Sequence, residues 1–202
     1  MTIAVIATKD AFETLKALAP ELTWKHIDDL SKAKEAKALF CLDEAADEWD
    51  YRGIEIPVFL HSVVNRLQDI RQSGSVVRIN AWNGFLNRPV WEVAGSLSSE
   101  HLNVLAALSR TGIQVPDEPG LVAARVIAMI INEAYMALEE GVSSKADIDT
   151  AMKLGTNYPM GPFEWADTVG IRSVYHLLHT LSLNDERYSP SKALKAAATA
   201  HD

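Results

Sequence analysis

The chain has a single cysteine and no glycine before Gly53. Cys41 stands in the apolar run "ALFCL"; it has no partner for an internal disulfide, and no Cys/His spacing of metal-ligand type occurs. A small buried core residue is the expectation for it, and no metal site is expected. The missing early glycines exclude more. A strand entering a helix near the start of a chain is where a dinucleotide would sit, and the pyrophosphate reaches the helix N-terminus only across glycines. Here that turn reads "ATKD", Ala7–Asp10, with side chains where none are tolerated and an acid that repels phosphate. No nicotinamide cofactor is expected at this turn.

Long hydrophobic runs are also missing. A membrane span needs about 18 apolar residues. The longest candidate, "GLVAARVIAMIINEAYMALEEG", is interrupted by Arg125, Asn132 and Glu133. The start, "MTIAVIATKDAFE", lacks the basic region and long apolar run of a secretion signal. A cytoplasmic location is the expectation. Basic residues are in deficit, 19 Lys and Arg against 27 Asp and Glu, for a formal net charge of −8. Such a chain is a poor match for nucleic acid or an anionic membrane. A local anion site needs only two or three cations and is not excluded.

What is present is ordinary globular material: 202 residues, 48% hydrophobic and 23% charged, enough for one large domain or two small ones. The first part alternates short β-branched runs with helical ones. "TIAVIA" (2–7), "LTWKHI" (22–27), "KALFCLD" (37–43), "IPVFLHSV" (56–63) and "SVVRINAW" (75–82) read as strands. "DAFETLKALA" (10–19) reads as a helix capped by Asp10, and "SKAKEA" (31–36) as a short polar one. This pattern predicts a small Rossmann-like α/β domain over 1–95, with a parallel sheet of about five strands.

From 96 to 202 the pattern is helical throughout. Helices are expected over 98–112, over 119–141 between Pro119 and Gly141, and over 143–155 with Ser144 as N-cap and Gly155 as C-cap. Two more follow, from Pro162 and over 171–182, before a tail of polar and small residues, "SPSKALKAAATAHD". The 119–141 helix is apolar on more than one face. Such a helix is buried in a larger core or in an oligomer, so it is the expected centre of a homodimer.

The stretch "DIDTAMKLGTNYPMGPFEWADTVG", Asp147 to Gly170, is too rich in special residues for a plain connector. It and the residues before it, back to Pro119, resemble the C-terminal helical domain of the 3-hydroxyacyl-CoA dehydrogenase family. Weaker similarity reaches back to about Val76. The resemblance implies a Rossmann domain for NAD and a helical domain that dimerises, with an acyl-CoA between them. In that family a histidine takes the proton from the 3-hydroxyl and a glutamate pairs with it. An asparagine and a serine hold the substrate oxygen.

Carried over residue by residue, these features divide. The histidine opens a His-Phe-Phe-Asn-Pro motif; the matching text is "NAWNG", so Asn80 stands in its place, Asn83 matches the motif's asparagine, and Gly84 replaces its proline. The glutamate, twelve residues on, is kept as Glu92. The oxygen-binding asparagine becomes Ala124, beside a retained Arg125. The serine has no clean counterpart, although Ser62 is near.

An amide such as Asn80 cannot act as a general base, a loss of about 10²–10⁴ in rate. Losing a donor to a developing oxyanion removes a further ~10²–10³. The resemblance and its gaps together predict a pseudoenzyme: a homodimer without dehydrogenase activity that binds an acyl-CoA-type ligand or serves as an accessory protein of fatty-acid metabolism. An active oxidoreductase with an unorthodox or partner-supplied NAD site is the alternative, and a purely structural dimerisation module a third.

For single residues two readings stand side by side. Glu92 is a polar anchor or weak base, or an exposed strand-end carboxylate. His61 is a substitute base or a structural strand-end residue. His176 and His179, three apart on a helix, are a metal pair lacking a third ligand or surface residues. Asn157, Met160 and Phe163 line an acyl pocket, or the segment that holds them is only a structural corner.

Overall fold

A computed structural model describes residues 1–43 and 45–200. The chain divides into two compact units, Met1–Leu121 and Val122–Asp202.

The first unit is built on a seven-stranded sheet. Its strands are β1 (Thr2–Ile6), β2 (Thr23–His26), β3 (Ala38–Cys41), β4 (Val58–His61), β5 (Val76–Ile79), β6 (Val90–Ala94) and β7 (Thr111–Val115), in the spatial order β2-β1-β3-β4-β5-β6-β7. The first five run parallel, β6 is antiparallel to β5, and β7 is parallel to β6. β1, β3, β4 and β5 are buried almost without interruption, as strands covered on both faces must be.

The two faces are covered differently. On one, α1 (Lys9–Leu18) and α2 (Ser99–Ala107) bring Phe12, Leu15, Val104 and Leu105 onto Val5, Phe40, Phe59 and Val93. On the other, single 3₁₀ turns and loops supply Ala33, Ala46, Tyr51 and Ile70 against Ile6, Leu39, Leu60 and Val76. Among the described residues the crossovers 27–37, 42–57 and 62–75 therefore hold no α-helix. This is a Rossmann-like sheet with one helical layer reduced to turns.

Four expectations change. The sheet has seven strands rather than about five. The helix expected over 98–112 stops at Ala107, and Thr111–Val115 pairs with β6 as β7, so the sheet unit runs to Leu121 rather than to residue 95. α1 is capped by Thr8, whose Oγ1 accepts from the Ala11 N–H at 3.4 Å, with Asp10 inside the first turn. The polar tail is largely a helix, Lys192–Thr199, which buries Leu194 and Ala198; the tail's last two residues lie outside the described ones.

The second unit consists of α3 (Ala123–Glu139), α4 (Lys145–Thr156), α5 (Pro162–Val169), α6 (Ile171–Ser182) and α7 (Lys192–Thr199). α3 packs on α5, α6 and α7 through Ala124, Ala128, Ile131 and Tyr135. Asn132, a polar residue on the buried side of that helix, is only 1% exposed. Its Nδ2 donates to the Ser189 carbonyl at 3.0 Å and its Oδ1 accepts from the Ser191 N–H at 2.8 Å, tying α3 to the entry of α7. Among the described residues no helix is long and apolar enough to cross a membrane.

Candidate functional site

In an open parallel sheet, ligands bind beyond the carboxyl ends of the strands where the strand order reverses. In the order β2-β1-β3 that point is the turn after β1. There the Ala7 carbonyl is bonded to His26 Nε2 at 2.8 Å, and the His26 ring stacks on Phe12 with centroids 4.5 Å apart. The Thr8 hydroxyl and carbonyl take the N–H groups of Ala11 and Phe12, and Asp10 follows in the first helical turn. The acids after β2, where a ribose contact is usual, are engaged locally: Asp28 pairs with Lys32 and Asp29 caps the next turn through Ser31 at 2.7 Å. A dinucleotide pyrophosphate does not fit this glycine-free turn.

The polar residues gather at the ends of β4 and β5. Asn80, just past β5, is 8% exposed. Its Oδ1 accepts the Trp82 N–H at 3.0 Å, and its Nδ2 is buried with no hydrogen-bond partner among the described residues. β5 and β6 pair Arg78 with Ala94 and Ile79 with Val93. The pairing ends there: Asn80 lies just past β5, and Glu92 is half-buried on β6, in register with Ile113 of β7. Asn83 lies in the following turn and is exposed.

His61 ends β4. Its Nδ1 accepts the Ala81 N–H at 3.1 Å, which fixes the neutral ring with its proton on Nε2. Burial pushes this imidazole down to about 4. Next to it Ser62 is buried, its hydroxyl donating to the Asn65 carbonyl at 3.0 Å and to Asp47 at 3.3 Å.

The residue pattern alone had not marked Arg78, read as part of a strand. It is fully buried, its Nε donating to the Ser62 carbonyl at 2.9 Å and its Nη1 to Asp117. Asp117 in turn accepts the Leu67 N–H at 2.9 Å. Burial lowers the guanidinium from its usual value, while Asp117 opposes the shift. The clasp ties the segment after β7 to the strand ends; its signal was an arginine inside the apolar run "VVRI".

In the second unit, the stretch Asp147–Gly170 is organised by Asp149. This buried carboxylate accepts the Phe163 N–H at 2.8 Å and the Glu164 N–H at 3.3 Å, so it caps α5 from another helix. Gly161 lies against it so closely that a Cβ there would overlap the Asp149 side chain. Glu164 closes the corner by accepting the Gly161 N–H at 2.9 Å and pairing with Lys153, contacts that hold its carboxyl below the usual range. Pro162 opens α5, where its missing N–H is not needed.

α4 does not stop at Gly155. It runs on to Thr156 and ends on Asn157, whose left-handed backbone (φ 57°) makes it the C-cap. Asn157 is exposed and Met160 half-buried; Phe163 is buried against Tyr135, ring centroids 4.9 Å apart, with the Lys145 ammonium 5.3 Å from its ring. Ala124 is fully buried, and the Arg125 guanidinium lies 5.7 Å from the Tyr188 ring. His176 and His179 are exposed, His179 stacked on Tyr175, and no group of three metal-ligating side chains occurs among the described residues.

Comparison with known proteins matches residues 120–202 to the model of the 3-hydroxyacyl-CoA dehydrogenase C-terminal domain. The chain is 42% identical over 105 residues to the 3-hydroxyadipyl-CoA dehydrogenase of Escherichia coli (strain K12), a match covering 51% of this chain and 22% of that protein. It is 39% identical over 111 residues to a probable 3-hydroxybutyryl-CoA dehydrogenase of Bacillus subtilis (strain 168), covering 51% and 38%. The matched stretches therefore span well under half the length of these relatives. The crystal structure of (S)-3-hydroxybutyryl-CoA dehydrogenase from Ralstonia eutropha superposes with a TM-score of 0.75 over 98% of this chain and 93% of that one, at 17% identity. That likeness is one of fold: a Rossmann-like sheet followed by helices.

Proposed function

With residues 120–202 as a 3-hydroxyacyl-CoA dehydrogenase C-terminal domain, we propose that the chain is a degenerate relative of these dehydrogenases: a homodimer that binds an acyl-CoA-type ligand and transfers no hydride itself. The observation that carries this reading is Asn80. It stands where the family has its histidine, and its only lone-pair atom is engaged by the Trp82 N–H. An amide so held takes no proton from a hydroxyl. The glycine-free turn after β1 supports the same reading from the cofactor side.

Asn157, Met160 and Phe163 of the helical unit are the residues proposed to line an acyl pocket, and Glu92 of the sheet unit is proposed as a polar anchor. The homodimer would use α3, which leaves Val126 52% exposed and Val122, just before it, 48% exposed. An active oxidoreductase is the second reading, favoured by the retained Glu92. His61 counts against it, since its Nδ1 accepts the Ala81 N–H and its Nε2 carries the proton, the wrong tautomer for a base at Nε2.

The test is a calorimetric titration with acetoacetyl-CoA, with and without NADH, while the NADH absorbance is followed. Saturable heat, unchanged by NADH and without absorbance loss, is expected. Consumption of NADH that Glu92→Gln abolishes would establish the oxidoreductase. No heat from any ester would leave a purely structural dimerisation module.

A further inference from the structure

β7 ends the strand order of the sheet, so one side of it is covered by no strand among the described residues. The Thr111 N–H donates to the Pro89 carbonyl at 3.0 Å, towards β6. Alternate residues of a strand point their backbone groups the same way, so Ile113 and Val115 also turn theirs to β6. Gly112 and Gln114 turn theirs outward. Each of these two offers an N–H and a C=O to any chain laid along the edge.

The two edges of the sheet are guarded differently. β2, at the far edge, reads "TWKH" and carries Lys25, which is paired with Glu35. Charge on an edge strand keeps a second strand away. β7 reads "TGIQV", with no charge and no proline. Its side chains divide by face. A Cβ on Gly112 would overlap the Leu105 side chain of α2, which places Gly112 and Gln114 on the helix-covered face. Thr111, Ile113 and Val115 lie on the other face, in register with Val90, Glu92 and Ala94. There Ile113 is 46% exposed and Val90 44%.

We propose that β7 pairs antiparallel with β7 of a second copy of this chain, about a two-fold axis at Ile113, so that two sheets join into one. The edge selects this register. With Ile113 opposite the partner's Ile113, Gly112 faces the partner's Gln114, and Gln114 faces the partner's Gly112. Both outward residues of each copy are then bonded, each pair exchanging two hydrogen bonds. A pairing centred on Gln114 would set Gly112 opposite Pro116, which has no N–H. One centred on Gly112 would set Gln114 opposite Arg110, whose N–H is already given to the Leu105 carbonyl at 2.8 Å. On the open face the selected register sets Thr111 against the partner's Val115 and Ile113 against its own counterpart, all β-branched pairs. Charge agrees with it. Arg110 precedes the strand and the exposed Glu118 follows it, so each copy brings its basic end to the other's acidic end. The contact is separate from α3, which belongs to the other unit.

Cysteine cross-linking of the full chain tests this. Ile113→Cys places two thiols in a non-hydrogen-bonded pair with Cα atoms about 4.5 Å apart, within disulfide reach. Mild oxidation should give a covalent dimer. Thr111→Cys is the control, since the partner's Thr111 lies about 13 Å away along the strand. It should cross-link at least about 10-fold more slowly. Cys41 stays out of the reaction because it is fully buried. Adding Gln114→Pro to Ile113→Cys should slow the cross-link about 10-fold or more, because it deletes an outward N–H and keeps the bonds to β6. No covalent dimer, equal rates at 113 and 111, or a rate indifferent to Gln114→Pro would overturn the proposal. Should the variants not fold, hydrogen exchange in the wild type decides. The amides of Gly112 and Gln114 should exchange slowly at high protein concentration, and fast exchange at every concentration would overturn the pairing. None of these outcomes bears on acyl-CoA binding.

Discussion

The carboxylate of Asp149, on α4, caps the N-terminus of α5 by accepting the Phe163 N–H at 2.8 Å. Gly161, at the position where a cap residue would normally offer its own oxygen, has no side chain because Asp149 occupies that space. The two residues share one job, and their substitutions should be coupled. Asp149→Ala should cost about 1–3 kcal/mol, the usual range for losing a cap and leaving N–H groups unpaired. Gly161→Ala should cost about 1–3 kcal/mol by overlap. In the Asp149→Ala background part of the Gly161→Ala cost should disappear, since the overlapping Cγ and Oδ1 are gone while the Cβ, which the added methyl also meets, stays. Urea melts of the four proteins in this cycle give the coupling, and simple additivity would refute the shared role.

Arg78 and Asp117 should form the most sensitive ion pair of the sheet unit. Breaking a buried pair by removing one partner costs about 3–5 kcal/mol, because a charge is left buried alone. Asp117 is 31% exposed, so Asp117→Ala should fall at the low end, about 3 kcal/mol. Raising the salt concentration should change little, since Arg78 is fully buried. Denaturation midpoints at low and high salt test both points.

Acid should weaken the fold in a defined window. Burial brings the His61 imidazole from 6.5 to about 4 in the folded chain. The unfolded chain then binds more protons between these values, so this stability is complete above about 6.5 and is lost as pH falls towards 4. His101, shifted down by burial as well, acts in the same direction. The contribution of His61 is at most about 3 kcal/mol. Thermal melts from pH 7 to 4 should show a shallower decline for His61→Gln than for the wild type.

Asn132→Leu should loosen the last helix. It strips partners from the Ser189 carbonyl and the Ser191 N–H, a cost of about 1–3 kcal/mol for each buried group. Hydrogen exchange should quicken over α7 while the interior of α6 keeps its protection. Uniform quickening across the helical unit would contradict a local clasp.

Cys41 should ignore thiol reagents in the native protein. Its side chain is fully buried, and burial pushes the thiol up to about 12, so thiolate is scarce at neutral pH. Labelling should follow the rate of unfolding in denaturant; prompt reaction in native buffer would show the β3 region to be open.

Much of this was legible from local pattern. The five parallel strands show as β-branched apolar runs, and Ser144, Pro162 and the start of α6 mark helix boundaries. What was missed depends on partners far along the chain. β7 is an exposed edge strand whose "TGIQV" has no clean alternation, and only its pairing with β6 defines it. α7 is rich in alanine and lysine, so its two buried positions give a faint signal, although α3 and α6 cover them. Asp149 reads as an ordinary acid within α4; its meaning comes from a contact fourteen residues away. Of the candidate site, Asn80 and Glu92 came from a likeness to known sequences, and the structure adds their places, one just past β5 and the other on β6.

The turns that replace helices on one face of the sheet have a kinetic consequence. Among the described residues none of the crossovers 27–37, 42–57 and 62–75 carries an α-helix that could form ahead of its strands. A lone 3₁₀ turn has no stability apart from the sheet it covers. Each parallel pairing from β3 to β5 must then be reached by closing a loop of unstructured chain, whose entropy is lost before any ladder bond repays it. The β1–α1–β2 and β6–α2–β7 segments are the exceptions, since each encloses a helix of its own. The sheet should grow inward from those two edges, with closure of the helix-free crossovers as its slow step.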